Sequence, residues 1–297
     1  MTQSSSASFR TSSRRARRSL GQTGQSRWDI AIRSPAAPLR SFVRGDYIGY
    51  KEWSGALHRR REFPVPFAVM VIELGPPLRL YDGGDTRQVA YHRGGFVGGL
   101  CDTFVDCEHD GFQHGVQVNL TPIGARLLFD VPMSDISAQV VAIDDLLPAR
   151  HRGLAERLAD VDDWDVRFDL VDATLADCLH EASPRTAVVA WAASRIAESG
   201  GTLSIRELVR ELGYSRKHVI SLFRDQVGIP PKMLAEIVRF DRLFQHLRRG
   251  DEGSWSELAL EYGFYDQAHM AREIRRFTGV TPSSVKTRAT ELSGLIP

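Results

Sequence analysis

Three arginines, two alanines and a glutamine fall within ten residues: Gln267, Ala268, Ala271, Arg272, Arg275 and Arg276 in "QAHMAREIRR". At helical period, Ala268, Ala271, Arg272 and Arg275 share one face, while Met270, Ile274 and Phe277 share another at i, i+4 and i+7. The second face is ordinary core. The first is thin and cationic, and suits close approach to a polyanion. Arginine can make paired hydrogen bonds to guanine, glutamine can pair with adenine, and alanine can touch a thymine methyl while letting a helix sit deep in the groove. Arg276, with Arg216 and Lys286, is better placed to hold phosphates.

A second, earlier set has the same form. "ELVRELGYSRKHVISLFRDQVGIPP" (207–231) aligns with "ELALEYGFYDQAHMAREIRRFTGVTP" (257–282): Glu207, Leu208 and Gly213 precede Glu257, Leu258 and Gly263 by 50 residues. After one inserted residue, His218, Phe223, Arg224, Gly228 and Pro231 precede His269, Ile274, Arg275, Gly279 and Pro282 by 51. Each unit predicts a short helix, a glycine turn, a longer helix with a basic outer face, then Gly-x-x-Pro. That is a helix-turn-helix stated twice. Lys217, Ile220, Ser221 and Arg224 form the outward face of the first long helix. His218 and His269 have no metal-ligating neighbours, and a packing or backbone-bonding role is expected of them. "KMLAEIVRFDRLFQHLRRG" (232–250) predicts an amphipathic helix holding the units apart. A lone helix-turn-helix match is weak, because helical pairs with glycine turns are common in bundles. Two copies with two basic outer faces favour double-stranded DNA, read in major-groove segments about one turn, ~34 Å, apart.

These residues resemble a known family. "GFYDQAHMAREIRRFTGVTPSSV" is similar to the C-terminal signature of AraC/XylS-family bacterial transcription factors, with Gly263, Phe264, Gln267, His269, Arg272, Phe277, Gly279, Thr281 and Pro282 at the pattern's positions. "GGFVGGLCDT" and "GVQVNLTPIGARLLFDVPMSDI" resemble, less specifically, the sensor half of a subgroup. The chain departs from the pattern at Ser221 and Leu222, where relatives often carry arginine, and at Ile274, where phenylalanine is usual. The resemblance implies a sequence-specific DNA-binding regulator with an N-terminal effector or dimerisation domain. RNA polymerase is its implied protein partner, and a small-molecule effector and a homodimer are possible partners.

The elements that must position these faces divide the chain. Residues 1–44 carry nine Lys/Arg against one acid, 45–203 carry 14 against 24, and 204–288 carry 15 against 11. An acidic middle before a basic last third places a polyanion partner at the C-terminal end. Residues 1–27 are expected to be a disordered basic tail; the Ser/Arg-rich start has no apolar core after its paired arginines and so lacks signal-peptide character. Residues 28–150 read as a β-rich regulatory domain, with "FAVMVIEL" (67–74), "GGFVGGLCDTFV" (94–105) and "GVQVNLTP" (115–122) broken by Gly/Pro/Asp turns, and "IGARLLFDV" (123–131) as a short helix. Residues 151–199 read as a helical linker and dimerisation segment, with Leu154, Leu158, Leu170, Leu175 and Leu179 on its apolar faces. Gly200-Gly201 then opens a DNA-binding domain over 200–290. The fold class is α+β: an N-terminal, mostly β, barrel-like domain with a helical linker, then an all-α domain of two helix-turn-helix units.

The alternative is a small-molecule-binding or metal-dependent, cupin-like enzyme with an accessory helical domain. It fits poorly. There is no His-x-His, no Gly-x-Ser-x-Gly and no phosphate-cradling loop, and Cys101, Cys107, His109 and His114 match no common zinc spacing. No catalytic residue, metal or cofactor is expected. Trp53, Phe63, Phe67, Tyr81, Tyr91, Phe96 and Phe112 could line an effector pocket or simply be core. Three irregular cysteines point to reduced cytoplasm, and no run approaches the roughly 18 apolar residues of a membrane span.

Overall fold

Strict alternation in "FQHGVQVNL" makes the central strand of the N-terminal half, because one face of a strand can be apolar only at period two. The computed structural model describes residues 14–24, 26–82, 89–180, 184–250 and 253–288. Its strands are β1 (Arg17–Thr23), β2 (Ser26–Arg33), β3 (Tyr47–Trp53), β4 (His58–Glu62), β5 (Ala68–Glu73), β6 (Arg79–Asp82), β7 (Val89–Ala90), β8 (Phe96–Gly98), β9 (Val105–His109), β10 (Phe112–Leu120) and β11 (Val140–Ala142). They form a seven-stranded sheet, β1-β2-β3-β10-β5-β8-β11, and a four-stranded sheet, β4-β9-β6-β7, all antiparallel. Neither sheet closes on itself, so the barrel-like half is two open sheets facing one another.

The helices are α1 (Pro122–Phe129), α2 (Ile143–Leu146), α3 (Leu154–Ala159), α4 (Trp164–Cys178), α5 (Pro184–Glu198), α6 (Ile205–Leu212), α7 (Arg216–Val227), α8 (Pro231–Arg248), α9 (Trp255–Glu261), α10 (Gln267–Thr278) and α11 (Pro282–Arg288). The expected short helix at 123–131 is α1. It starts because Pro122 presets its first turn and the Thr121 hydroxyl accepts from Gly124 N–H at 3.0 Å. Helix α4 lies on the large sheet, where a Cβ on Gly49 would collide with the Trp164 ring at 2.4 Å.

Two expectations are corrected here. The tail assigned to residues 1–27 is structured from residue 14; residues 1–13 lie outside the described residues. Strand β1 pairs along its length with β2, Arg14 and Arg33 both reach Asp172 on α4 (2.8 and 3.0 Å), and Ala16 N–H donates to Asp165 at 2.7 Å. Backbone pairing and an acidic receiver on α4 hold a segment too polar to pack by burial. Second, the leucines expected to form a dimer face are spent inside the chain. Leu154, Leu158 and Leu175 are buried, and Leu170 and Leu179 pack against the same core. That core is continuous from the large sheet through α4 and α5 into the last helices.

Candidate nucleic-acid interface

Each helix-turn-helix is built by local chemistry. In the first, α6 ends on Gly213 in the left-handed region (φ 69°), where a side chain is strained, and Ser215 caps α7 by accepting from His218 N–H at 3.2 Å. In the second, Ser254 and Glu257 form a capping box on α9. Gly263 makes the turn at φ 73°, and Asp266 caps α10 by accepting from His269 N–H at 2.6 Å. Both long helices end on a left-handed glycine, Gly228 and Gly279.

Burial then decides which faces remain. Helix α7 buries Val219, Leu222, Phe223, Gln226 and Val227, and α10 buries Met270, Glu273, Ile274, Phe277 and Thr278. Lys217, Ser221 and Arg224 are exposed on α7, with Ile220 half-buried; Gln267, Ala268, Arg272, Arg275 and Arg276 are exposed on α10, with Ala271 half-buried. The side chains of Lys217, Arg224, Arg272 and Arg275 make no hydrogen bond or ion pair among the described residues, so their charges face solvent. Leu222 stands at a core position, which explains why an apolar residue is held there. Ile274 fills its core site completely.

Arg276 differs from the expectation. Its guanidinium donates to Glu236 on α8 at 2.7 Å, and Lys232 approaches the same carboxylate at 3.4 Å. Its charge is therefore partly committed within the protein. Lys286 Nζ donates to Gly253 O at 3.3 Å beside the Trp255 ring, whereas Arg216 has no such partner among the described residues.

The linker helix α8 carries functional residues that period alone did not reveal. Arg239 donates to Glu273 at 2.7 Å, and His269 Nε2 lies 2.9 Å from the same carboxylate. Tyr265 N–H donates to His269 Nδ1 at 3.3 Å, so the neutral ring carries its proton on Nε2 and donates it to Glu273. His269 thus ties the turn to α10, the backbone-bonding role expected of it, while Glu273 ties α10 to α8 through Arg239. His218 instead meets the Tyr214 ring edge-on at 4.9 Å.

The N-terminal half touches this unit at several places. Arg61 on β4 donates to Thr278 O at the end of α10 (3.2 Å), and its guanidinium lies over the Phe104 ring. Phe63 packs edge-on against Phe240 and Phe244 of α8, with centroids 6.2 and 5.1 Å away. Arg44 pairs with Asp241 of α8 at 3.3 Å. A Cβ on Gly228 would press on Met133 O at 2.8 Å, and one on Gly279 on Phe104 at 2.6 Å. Nothing in the sequence signalled these contacts, because their partners lie far apart along the chain.

Cys107, His109 and His114 have separate surroundings. Cys107 is buried between the sheets, where burial pushes its thiol up to about 12, His109 packs on His58, and His114 meets Trp164. Among the described residues no group of three His, Cys, Asp or Glu is placed to hold a metal, and no helix is long and apolar enough to cross a membrane. Of the pocket aromatics, Phe63, Phe67 and Phe96 line a cavity between the sheets; Trp53, Tyr81, Tyr91 and Phe112 do not.

A family model described as a helix-turn-helix domain matches residues 208–288. A probable transcription factor, PqrA of Proteus vulgaris, is 28% identical over 105 residues, covering 35% of this chain and 83% of that protein. Among solved structures, ToxT of Vibrio cholerae is similar at 9% identity and a TM-score of 0.45, over 78% of this chain and 97% of that one. A second ToxT structure, bound to (E)-4-(8-methylnaphthalen-1-yl)but-3-enoic acid, gives 9% and 0.45 over 79% and 98%. The doubled turn, its caps and the apolar anchoring of α7 and α10 agree with the family match: residues 208–288 are a helix-turn-helix domain.

Proposed function

We propose that this chain is a sequence-specific transcriptional regulator that sets α7 and α10 into successive major grooves of duplex DNA and is modulated through its N-terminal half. The observation that carries the reading is the pairing of two capped helices, each anchored by an apolar face, with Lys217, Arg224, Arg272 and Arg275 left without protein partners. Gln267, Ala268, Ala271, Arg272 and Arg275 read bases in the second unit; Lys217, Ser221 and Arg224 serve the first. Arg216 and the helix N-termini hold phosphates. Arg276 serves chiefly to fix α10 on α8. Residues 200–290 act as the DNA-binding domain, and 28–150 as the regulatory domain acting on α8 and α10 through Arg61 and Phe63. RNA polymerase is the protein partner this role requires. A homodimer contact on 151–199 would use what those helices leave exposed, Val166 and Trp191.

The test is a titration of the full chain against cognate and scrambled duplexes over a salt series. Log K falls with log salt at a slope of about −0.9 per neutralised phosphate. Specific binding with a flat salt response would sink the reading.

A further inference from the structure

Two open sheets have four edges, and among the described residues one of them is long and uncovered. Strand β7 is two residues and β11 three, and β4 leads into the C-terminal half, where Arg61 holds the end of α10. Strand β1 ends the large sheet with seven residues, hydrogen-bonded by β2 on one side. No position on it is buried, and Leu20 at its centre is 68% exposed. Sheet edges are commonly defended by proline, a bulge or free charge. Here the register with β2 runs unbroken and without proline. Both arginines are turned onto the protein's own aspartates, Arg17 on Asp46 at 3.0 Å and Arg18 on Asp29 at 2.6 Å.

The approach of the chain leaves this edge clear. Arg14 and Ala16 are held by Asp172 and Asp165 of α4, so residues 14–16 come to the strand over the helix side of the sheet, not alongside it.

The sequence of β1 also fits a second copy of itself. Laid antiparallel about Leu20, the leucine faces its counterpart, Ser19 faces Gly21, Arg18 faces Gln22 and Arg17 faces Thr23. No arginine opposes an arginine, and the leucine falls on the two-fold axis. Pairing with β2 fixes the faces. Leu20 lies opposite Asp29, on the side where Trp164 of α4 meets that aspartate. Gly21 lies opposite Trp28 on the other side, and a Cβ on it would stand 2.2 Å from the Trp28 ring. The edge therefore carries apolar surface on both faces. We propose that β1 is the homodimer seam, pairing antiparallel with β1 of a second copy and joining the two large sheets into one. Backbone hydrogen bonds supply the affinity, as in strand addition generally, and the leucine pair sets the register. This rests on the homodimer reading above and places its seam. Val166 follows Asp165, the residue that holds Ala16, so the exposed helix surface flanks the seam and does not form it.

The experiment is sedimentation of the full chain over a concentration series, without DNA. The expected result is a dimer that dissociates on dilution. Leu20→Lys and Leu20→Glu each weaken it about tenfold, because like charges then stand opposite one another. An equimolar mixture of the two associates about tenfold more tightly than either alone, since lysine then faces glutamate. Mild oxidation cross-links Leu20→Cys, whose Cβ atoms would stand about 5 Å apart, and not Thr23→Cys, which faces Arg17. Leu20 is exposed, so these variants keep the parent's melt, which is checked for each. Trp191→Lys and deletion of residues 2–13 leave the dimer intact. A monomer at every concentration overturns the seam and the homodimer together. A dimer indifferent to Leu20→Lys, one lost in Trp191→Lys or on deleting residues 2–13, or equal cross-linking at positions 20 and 23 overturns the seam alone.

Discussion

Arg272 and Arg276 sit one helical turn apart with the same side chain, and their surroundings give them different work. Arg272 has no protein partner among the described residues, whereas Arg276 donates to Glu236. Arg272→Ala should cost about 1–3 kcal/mol on the cognate duplex and relax preference at one base pair, read by titration against cognate and scrambled sites. Arg276→Ala should lower stability by only about 0–1 kcal/mol, because its pair is partly solvated. Glu273 is the reverse case: buried at 5% exposure, it receives Arg239 and His269. Glu273→Leu leaves Arg239 buried and unmatched, and urea denaturation should show a loss of about 3–5 kcal/mol, most of it recovered by adding Arg239→Met. Glu73 supplies a pH signature. Burial raises its carboxyl from 4.5 to about 7, so the folded state takes up a proton that the unfolded chain releases. Its contribution is most favourable below pH 4.5 and falls as pH rises to 7, by up to about 3 kcal/mol. His109 and His114, held down to about 4 by burial, run the other way and add stability as pH rises from 4 toward 6.5. Glu73→Gln should therefore gain on the parent between pH 5 and 8 in paired thermal melts.

Elements were legible where their signals are local. Helix α10 follows from an N-cap at Asp266, an apolar stripe and a closing glycine at Gly279, and its copy α7 repeats the logic from Ser215 to Gly228. Asp266→Ala should cost about 1 kcal/mol by removing the acceptor from His269 N–H, and should weaken DNA binding more than Ser204→Ala, whose hydroxyl makes no cap bond. Amide exchange at the start of α10 is the measurement. What sequence could not supply was the identity of the surface each element meets. The leucines of α3 and α4 announce burial, and their stripe is the same whether the cover is a second copy or the chain's own core. Strand β1 announces nothing, because Arg-Arg-Ser-Leu joins a sheet through its backbone and through Asp46 and Asp29, while Arg14 and Ala16 before it are held by aspartates some 150 residues away. Arg276 resembled a free cation because Glu236 lies on another helix, 40 residues back.

At the scale of the molecule, the two halves share one core, and a DNA-binding fragment is not a clean cut. Residues 185–290 alone would bare Phe240 and Phe244 where Phe63 covers them, and would strand Asp241 without Arg44. Such a fragment should keep salt-dependent DNA affinity but melt lower and self-associate at high concentration, as sedimentation would show. The two closing glycines carry a further consequence. Gly228 rests on Met133 and Gly279 on Phe104, so the equivalent ends of α7 and α10 are both seated on one body. Helix α8 alone could flex; a second support fixes the span. With α7 and α10 in successive grooves as proposed, the protein measures its operator as a caliper does. Each added base pair turns the far half-site by about 34°. Substitutions within either half-site should therefore weaken binding by degrees, whereas a single inserted pair between them should cost the whole contribution of one helix. Operators for this protein can drift in spelling but not in length.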